Sequence, residues 1–206
     1  MSESRITFPS GELKLEGLLK LPEGEVPGAA VVCHPHPLYG GSMYNNVVEA
    51  ALEAFWQRQF ATLRFNFRGV GDSEGEYDGG EGELDDVRQA VAFLADKAAV
   101  ESVTLAGYSF GASVSLRAGL TDPAVNGLVL VALPVAMISG PSDTASKPVL
   151  LVSGDRDSYS PVEPLRKLAS TLGSRAHLEF LAGADHFFGG CEARLAALVG
   201  AALADR

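Results

Sequence analysis

Ser109 stands between two glycines in Gly107-Tyr108-Ser109-Phe110-Gly111, where the apolar run SVTLAGY (102–108) gives way to a helix-forming stretch rich in Ala, Val and Leu. A strand, a sharp turn and a helix is the setting that lifts a serine hydroxyl clear of a sheet. Glycines on either side remove side chains that would collide there. A serine hydroxyl is a weak nucleophile near neutral pH and needs a positioned base to take its proton. Among the four histidines, His186 in Ala184-Asp185-His186-Phe187-Phe188 falls just after the last apolar run and before the last amphipathic stretch. Such a base needs an acceptor to orient it, and Gly154-Asp155-Arg156-Asp157 follows the run PVLLVS (148–153). Spacing leaves both carboxylates open: one stands at the strand end, the other in a loop able to reach over towards His186. The chemistry these residues support is acyl transfer through a covalent intermediate.

The oxyanion of such a reaction needs fixed N–H donors. The Phe110 amide, in the first turn of the helix after Ser109, is one, aided by the helix dipole. The second is expected from the loop His34-Pro35-His36-Pro37-Leu38-Tyr39-Gly40-Gly41. Proline has no N–H, so the expected donor is the backbone of His36, with Leu38 the alternative. Cys33, His34 and His36 lack a third and fourth ligand nearby, so no metal is expected. The acidic run Asp72, Glu74, Glu76, Asp78 and Glu83 superficially resembles a calcium loop, but Tyr77 stands where the turn demands glycine. It reads as a solvated loop. Gly69 and Gly71 miss the dinucleotide fingerprint because Glu74 occupies the place of its third glycine, and no cofactor is expected.

Regular elements must hold these residues. Arg5 to Pro22 contains two β-type runs broken at Ser10-Gly11, which predicts an antiparallel hairpin. Beyond the Pro/Gly-rich loop at 22–28 the pattern changes to short apolar runs: 29–34, 61–67, 102–108, 126–132, 148–153 and 177–181. Continuous apolar runs of this length are what buried parallel strands require. Between them lie helical stripes: Val48, Ala51, Leu52 and Phe55; Leu84, Val87, Val91 and Leu94; and finally Leu195, Leu198, Val199 and Ala202. Asn46 with Glu49 is a candidate capping box for the first, with Ser42 as another possible start. Strand–helix alternation implies a mostly parallel sheet covered on both faces, in one domain spanning 1–206. Ser109, the Asp155/Asp157 pair and His186 then share its carboxyl edge, where ligands of open α/β sheets bind.

With 47% apolar and 20% charged residues, the composition is far from that of a disordered chain. A net charge of −10 would repel phosphate backbones and anionic headgroups, so neither nucleic acid nor a membrane is an expected partner. No basic run precedes an apolar stretch at the N-terminus, and the longest apolar stretch, 127–138, is too short to cross a bilayer and contains Pro134. A cytoplasmic protein is expected, with Cys33 and Cys191 as free thiols.

These residues together resemble the α/β-hydrolase superfamily over nearly the whole length. The likeness is closest to small bacterial hydrolases with little or no lid, through CHPHPLYGGSMYNN (33–46), RFNFRGVGDSEG (64–75), GYSFG (107–111), GDRDSYSP (154–161) and GADHFF (183–188). The resemblance implies a three-layer fold with about eight strands and no cap domain. It implies Ser109, Asp157 and His186 as the triad; Asp157 is selected because it lies three residues after Gly154 and four before Pro161. The order Ser, Asp, His is that of this fold. One departure is His34-Pro35, where such families commonly carry a His-Gly pair. The family's lid would fall between the runs 126–132 and 148–153, where only residues 133–147 are available. An open site is therefore implied, with Tyr39, Phe110, Leu133, Tyr159, Phe187 and Phe188 as apolar walls. The implied activity is hydrolysis of small carboxylic esters with broad, short-chain preference. Thioesterase, lyase or peptidase chemistry on the same triad, or ligand binding without turnover, are the alternatives.

Overall fold

The change in hydrophobic pattern near residue 28 coincides with a change in strand direction. A computed structural model describes residues 3–137 and 146–204. Strands β1 (Ser4–Ser10) and β2 (Leu13–Lys20) form an antiparallel hairpin, and β2 pairs antiparallel with β4 (Ala61–Phe65). From there the sheet is parallel: β4, then β3 (Ala29–Cys33), β5 (Val103–Tyr108), β6 (Val125–Val131), β7 (Val149–Gly154) and β8 (Ala176–Leu181). The order across the eight strands is β1-β2-β4-β3-β5-β6-β7-β8.

Helices α1 (Asn46–Trp56) and α5 (Glu192–Ala204) cover one face; α2 (Glu81–Ala98), α3 (Phe110–Thr121) and α4 (Val162–Leu172) cover the other. Side chains alternate through the strands accordingly. Val31, Leu105, Leu130 and Leu151 enter the core under α2, α3 and α4, while Val32, Ala106, Val131 and Val152 enter the one under α1 and α5. Leu52 and Phe55 of α1 are completely buried, each contributing roughly 2 kcal/mol through removal of apolar surface from water. The three-layer architecture is the one expected. Among the described residues no helix is long and apolar enough to cross a membrane.

Three local expectations change. The cap of α1 is Asn45, whose side chain accepts from the Val47 amide at 2.9 Å; the helix starts one residue earlier than an Asn46 cap allows. Strand β8 lies at the sheet edge, so His177 and Glu179 are exposed and the strand alternates instead of being buried on both sides. Helix α4 has no counterpart among the apolar stripes recognised in the sequence: only Leu165, Leu168 and Leu172 are buried, too sparse a pattern to stand out beside Pro164. Residues 138–145, most of the segment where a lid would insert, lie outside the described residues.

The strand-to-helix turn at Ser109 depends on close backbone contact. A Cβ at Gly107 would overlap the carbonyl of Gly111, and one at Gly111 would overlap the carbonyls of His34 and Cys33. Since those contacts are all backbone, they cannot rotate away. Gly111→Ala is therefore expected to cost about 2 kcal/mol or more in denaturant unfolding, whereas Gly189→Ala, where a Cβ meets open space, should stay within about 0.5 kcal/mol of the parent. Equal stability of the two variants would contradict the packing described.

Candidate active site

Parallel strands deliver their C-terminal ends to one edge, and three loops there bring Ser109, His186 and Asp157 together. Ser109 follows β5 directly and has φ 54° and ψ −118°, a conformation that non-glycine residues rarely adopt. Its amide is held by the Val131 carbonyl at 2.9 Å and its own carbonyl accepts from Ser113 at 3.1 Å, so sheet and helix fix the turn from both sides. The hydroxyl lies 3.0 Å from His186 Nε2.

On its far side the imidazole places Nδ1 2.8 Å from Asp157 Oδ2. Asp157 also accepts from the amides of Tyr159 (2.9 Å) and Ser160 (3.0 Å) through Oδ1, and from Ser153 Oγ (3.3 Å). Burial pushes its carboxyl up, but the bond and charge of His186 and the two amides outweigh burial and hold it below the usual carboxylate range. An ionised Asp157 assigns the proton to Nδ1, leaving the Nε2 lone pair to accept from the serine hydroxyl. Asp155, the other carboxylate left open by spacing, instead accepts from the Gly183 amide at 2.7 Å, which braces the loop that carries His186.

The loop after β3 is fixed by a second set of buried contacts. His34, completely buried, receives the Phe67 amide on Nε2 at 3.0 Å and donates from Nδ1 to the Pro35 carbonyl at 2.6 Å. Asn66 Oδ1 accepts from the Met43 amide (2.8 Å), and Arg64 donates to the Met43 carbonyl (3.1 Å). The strings 33–46 and 64–75 are thus two halves of one hydrogen-bonded assembly. The Leu38 amide donates to His36 Nδ1 at 3.2 Å, so it is engaged within its own loop. The His36 carbonyl, bonded by Tyr39 and Gly41 amides, closes the turn that faces Ser109 across the cleft.

The cavity beside Ser109 has a volume of about 500 Å³ and is bounded by His36, Tyr39, Asn45, Phe110, Pro134, Tyr159 and Phe187, among others. Of the expected walls, Tyr39, Phe110, Tyr159 and Phe187 line it. Leu133 does not: it is completely buried in the core under α3, and the next residue, Pro134, takes the wall position. Phe188 is likewise buried, packed against the core under α1 and α5, because its backbone turns at φ 54° and swings the ring inward.

Residues 28–144, more than half of the chain, match the family model described as serine aminopeptidase, S33. The chain belongs to that family. A protein of Rickettsia prowazekii is 32% identical over 194 residues, covering 89% of this chain and 82% of its own. An α/β serine hydrolase homologue from Coxiella burnetii is 33% identical, with a TM-score of 0.90 and 98% of both chains covered. A Xanthomonas campestris member of the α/β serine hydrolases without a lid is 30% identical, with a TM-score of 0.88, covering 100% of this chain and 95% of the other. The protein is an α/β hydrolase of the small lidless type.

Several residues of the hydrolase's site had no signal in the sequence. Asn45 lines the cavity because it caps α1 at that place, and Pro134 because β6 ends at Val131 and Leu133 turns into the core. Tyr108 bonds the His186 carbonyl through its hydroxyl at 2.9 Å, a contact 78 residues apart in sequence. His34 could have been suspected from its position, but its partner is a backbone amide, and backbone amides carry no mark in a sequence.

His34 also predicts how the hydrolase responds to acid. Burial pushes its pKa from the ordinary 6.5 down to about 4, the bond to Pro35 offsetting part of this, and protonation at Nε2 would eject the Phe67 amide. The unfolded chain binds the proton first, so stability is lost as pH falls from about 6.5 towards 4 and does not fall further from this group below that. The loss assigned to His34 is about 3 kcal/mol. Denaturant unfolding at pH 7 and pH 4 should show a smaller acid penalty for His34→Gln than for the parent; equal penalties would exclude a neutral, buried His34.

Proposed function

We propose that this hydrolase cleaves carboxylic esters through an acyl-enzyme. The observation that carries the proposal is the unbroken hydrogen-bonded chain from Asp157 through His186 to Ser109, opening on a mostly apolar cleft. Ser109 attacks the ester carbonyl as Nε2 of His186 takes its proton, and His186 returns that proton to the departing alkoxide. Water, activated by the same imidazole, then releases the acid. Asp157 holds the tautomer and stabilises the imidazolium. The Phe110 amide, at the first turn of α3 where helix N–H groups have no internal partner, and the His36 amide are the proposed oxyanion donors.

Ester rather than N-terminal peptide substrates are favoured by the cavity's chemistry. A substrate ammonium group needs an anionic acceptor, and among the described residues lining the cavity there is no aspartate or glutamate. The aromatic walls suit acyl and alkyl groups instead, and about 500 Å³ is enough for both parts of a small ester. The net charge of −10 further disfavours polyanionic substrates. Broad selectivity with short acyl groups follows from an open cleft.

A fluorophosphonate probe should label the parent and leave Ser109→Ala unlabelled, with both proteins melting at similar temperature; labelling that persists in the variant would remove Ser109 as nucleophile. Asp157→Asn should lower kcat by about 10³- to 10⁴-fold, since an amide cannot enforce the required tautomer. Oxyesters, thioesters and aminoacyl amides assayed side by side should rank with oxyesters first. Faster turnover of aminoacyl amides would replace this reading with a peptidase.

A further inference from the structure

The loop that carries His186 is secured carbonyl by carbonyl. Arg194 donates to Ala182 O (3.1 Å), the Arg156 amide to Ala184 O (3.0 Å), and the Cys191 amide to Phe188 O (2.8 Å). Between them, the carbonyl of His186 itself and that of the next residue, Phe187, are both taken by side chains from elsewhere in the fold. Tyr108 Oη donates to His186 O at 2.9 Å, and Asn46 Nδ2 donates to Phe187 O at 3.3 Å and to Glu192 Oε1 at 2.9 Å.

We propose that Tyr108 and Asn46 are positioning residues that aim His186 at Ser109 by holding these two successive carbonyls. The proposal rests on the reading of Ser109 and His186 given above. Tyr108 is the residue immediately before Ser109, so the end of β5 places the serine hydroxyl and, through one rigid ring, the backbone of its partner. Its hydroxyl is buried, which together with the nearby Asp157 carboxylate pushes its pKa up and keeps it a donor at every working pH. Asn46 is free for its task because Asn45, not Asn46, caps α1. It links the first turn of α1 to the loop and to the start of α5. Phe187 adds a further tie, its amide donating to Asp185 Oδ1 at 3.0 Å.

Proton transfer from Ser109 depends on the angle and distance of one 3.0 Å contact, and small displacements of a reacting group cost large factors in rate. Removing the Tyr108 hydroxyl leaves a buried carbonyl unpartnered, and removing the Asn46 donor leaves Phe187 O to solvent; either lets the peptide rotate and tilts the ring, while the Tyr108 ring that borders the cavity stays in place. The effect belongs in kcat and not in KM.

Tyr108→Phe deletes one oxygen and keeps the ring. It is expected to lower kcat for a small ester about tenfold, to leave KM within about twofold, and to slow fluorophosphonate labelling by the same factor as kcat. The far-downfield proton resonance of the His186–Asp157 bond should broaden or shift. Asn46→Asp, at an exposed position where folding is not at risk, turns a donor into an acceptor facing a carbonyl and Glu192, and should lower kcat severalfold. Because both act on one loop, the double variant should lose less than the product of the two. Parent-like kcat and labelling in folded Tyr108→Phe would overturn the proposal while leaving the ester hydrolase intact. If Tyr108→Phe does not fold, Asn46→Asp decides alone: parent-like kcat there overturns it. A parent that neither labels nor hydrolyses esters would instead remove the functional reading, and this proposal with it.

Discussion

One strained residue organises the site. Ser109 takes φ 54° and ψ −118° because β5 must stop and α3 must start within a single residue. That conformation costs of order 1–3 kcal/mol and persists only where its surroundings overdetermine it. The sheet supplies one side of that support through Val131 O, α3 supplies another through Ser113 N, and Gly107 and Gly111 permit backbone atoms to approach where any Cβ would intrude. The carbonyls that Gly111 approaches belong to Cys33 and His34, at the end of β3. The turn at Ser109 and the loop of the proposed oxyanion donor are therefore packed directly against each other.

The loop from His34 to Asn45 has little regular structure of its own, only a short turn at Pro37–Tyr39. Its order comes from buried polar contacts with the end of β4: His34 with the Phe67 amide, Asn66 and Arg64 with the two backbone groups of Met43. Asn66 in turn donates to Glu16 Oε1 at 2.6 Å, extending the same assembly to the N-terminal hairpin. Such networks are costly if half satisfied and stiff if complete. This one is well bonded, and it explains how a loop of prolines and glycines keeps a defined course beside Ser109.

Exposed aromatic side chains gather at the mouth of the cleft. Tyr39, Tyr159 and Phe187 are all more than half exposed, an arrangement a soluble surface ordinarily avoids. Tyr39 joins His36, Tyr77 and Phe110 in a connected group of rings with centroids 4.6 to 5.8 Å apart, while Tyr159 and Phe187 pack against His186. Apolar surface is thus available on both sides of Ser109 and His186 from these rings alone. That suits the lidless family to which the chain belongs.

Much of this was legible in the amino-acid sequence. Apolar runs of strand length, helical stripes between them and a glycine-flanked serine at a junction determine a parallel α/β sheet and a serine at its carboxyl edge, because burial and backbone sterics act locally. The resemblance went further and singled out Asp157. Spacing could not decide between Asp155 and Asp157, since a shift of two residues sends one carboxylate to His186 and the other to the Gly183 amide. Nor could it show that Leu133 and Phe188 turn inward, that Asn45 and not Asn46 caps α1, or that Tyr108 and Asn46 reach the histidine loop. Periodicity records which side of an element meets the core; the direction a loop side chain takes, and the backbone group it finds dozens of residues away, exist only once the chain has closed on itself.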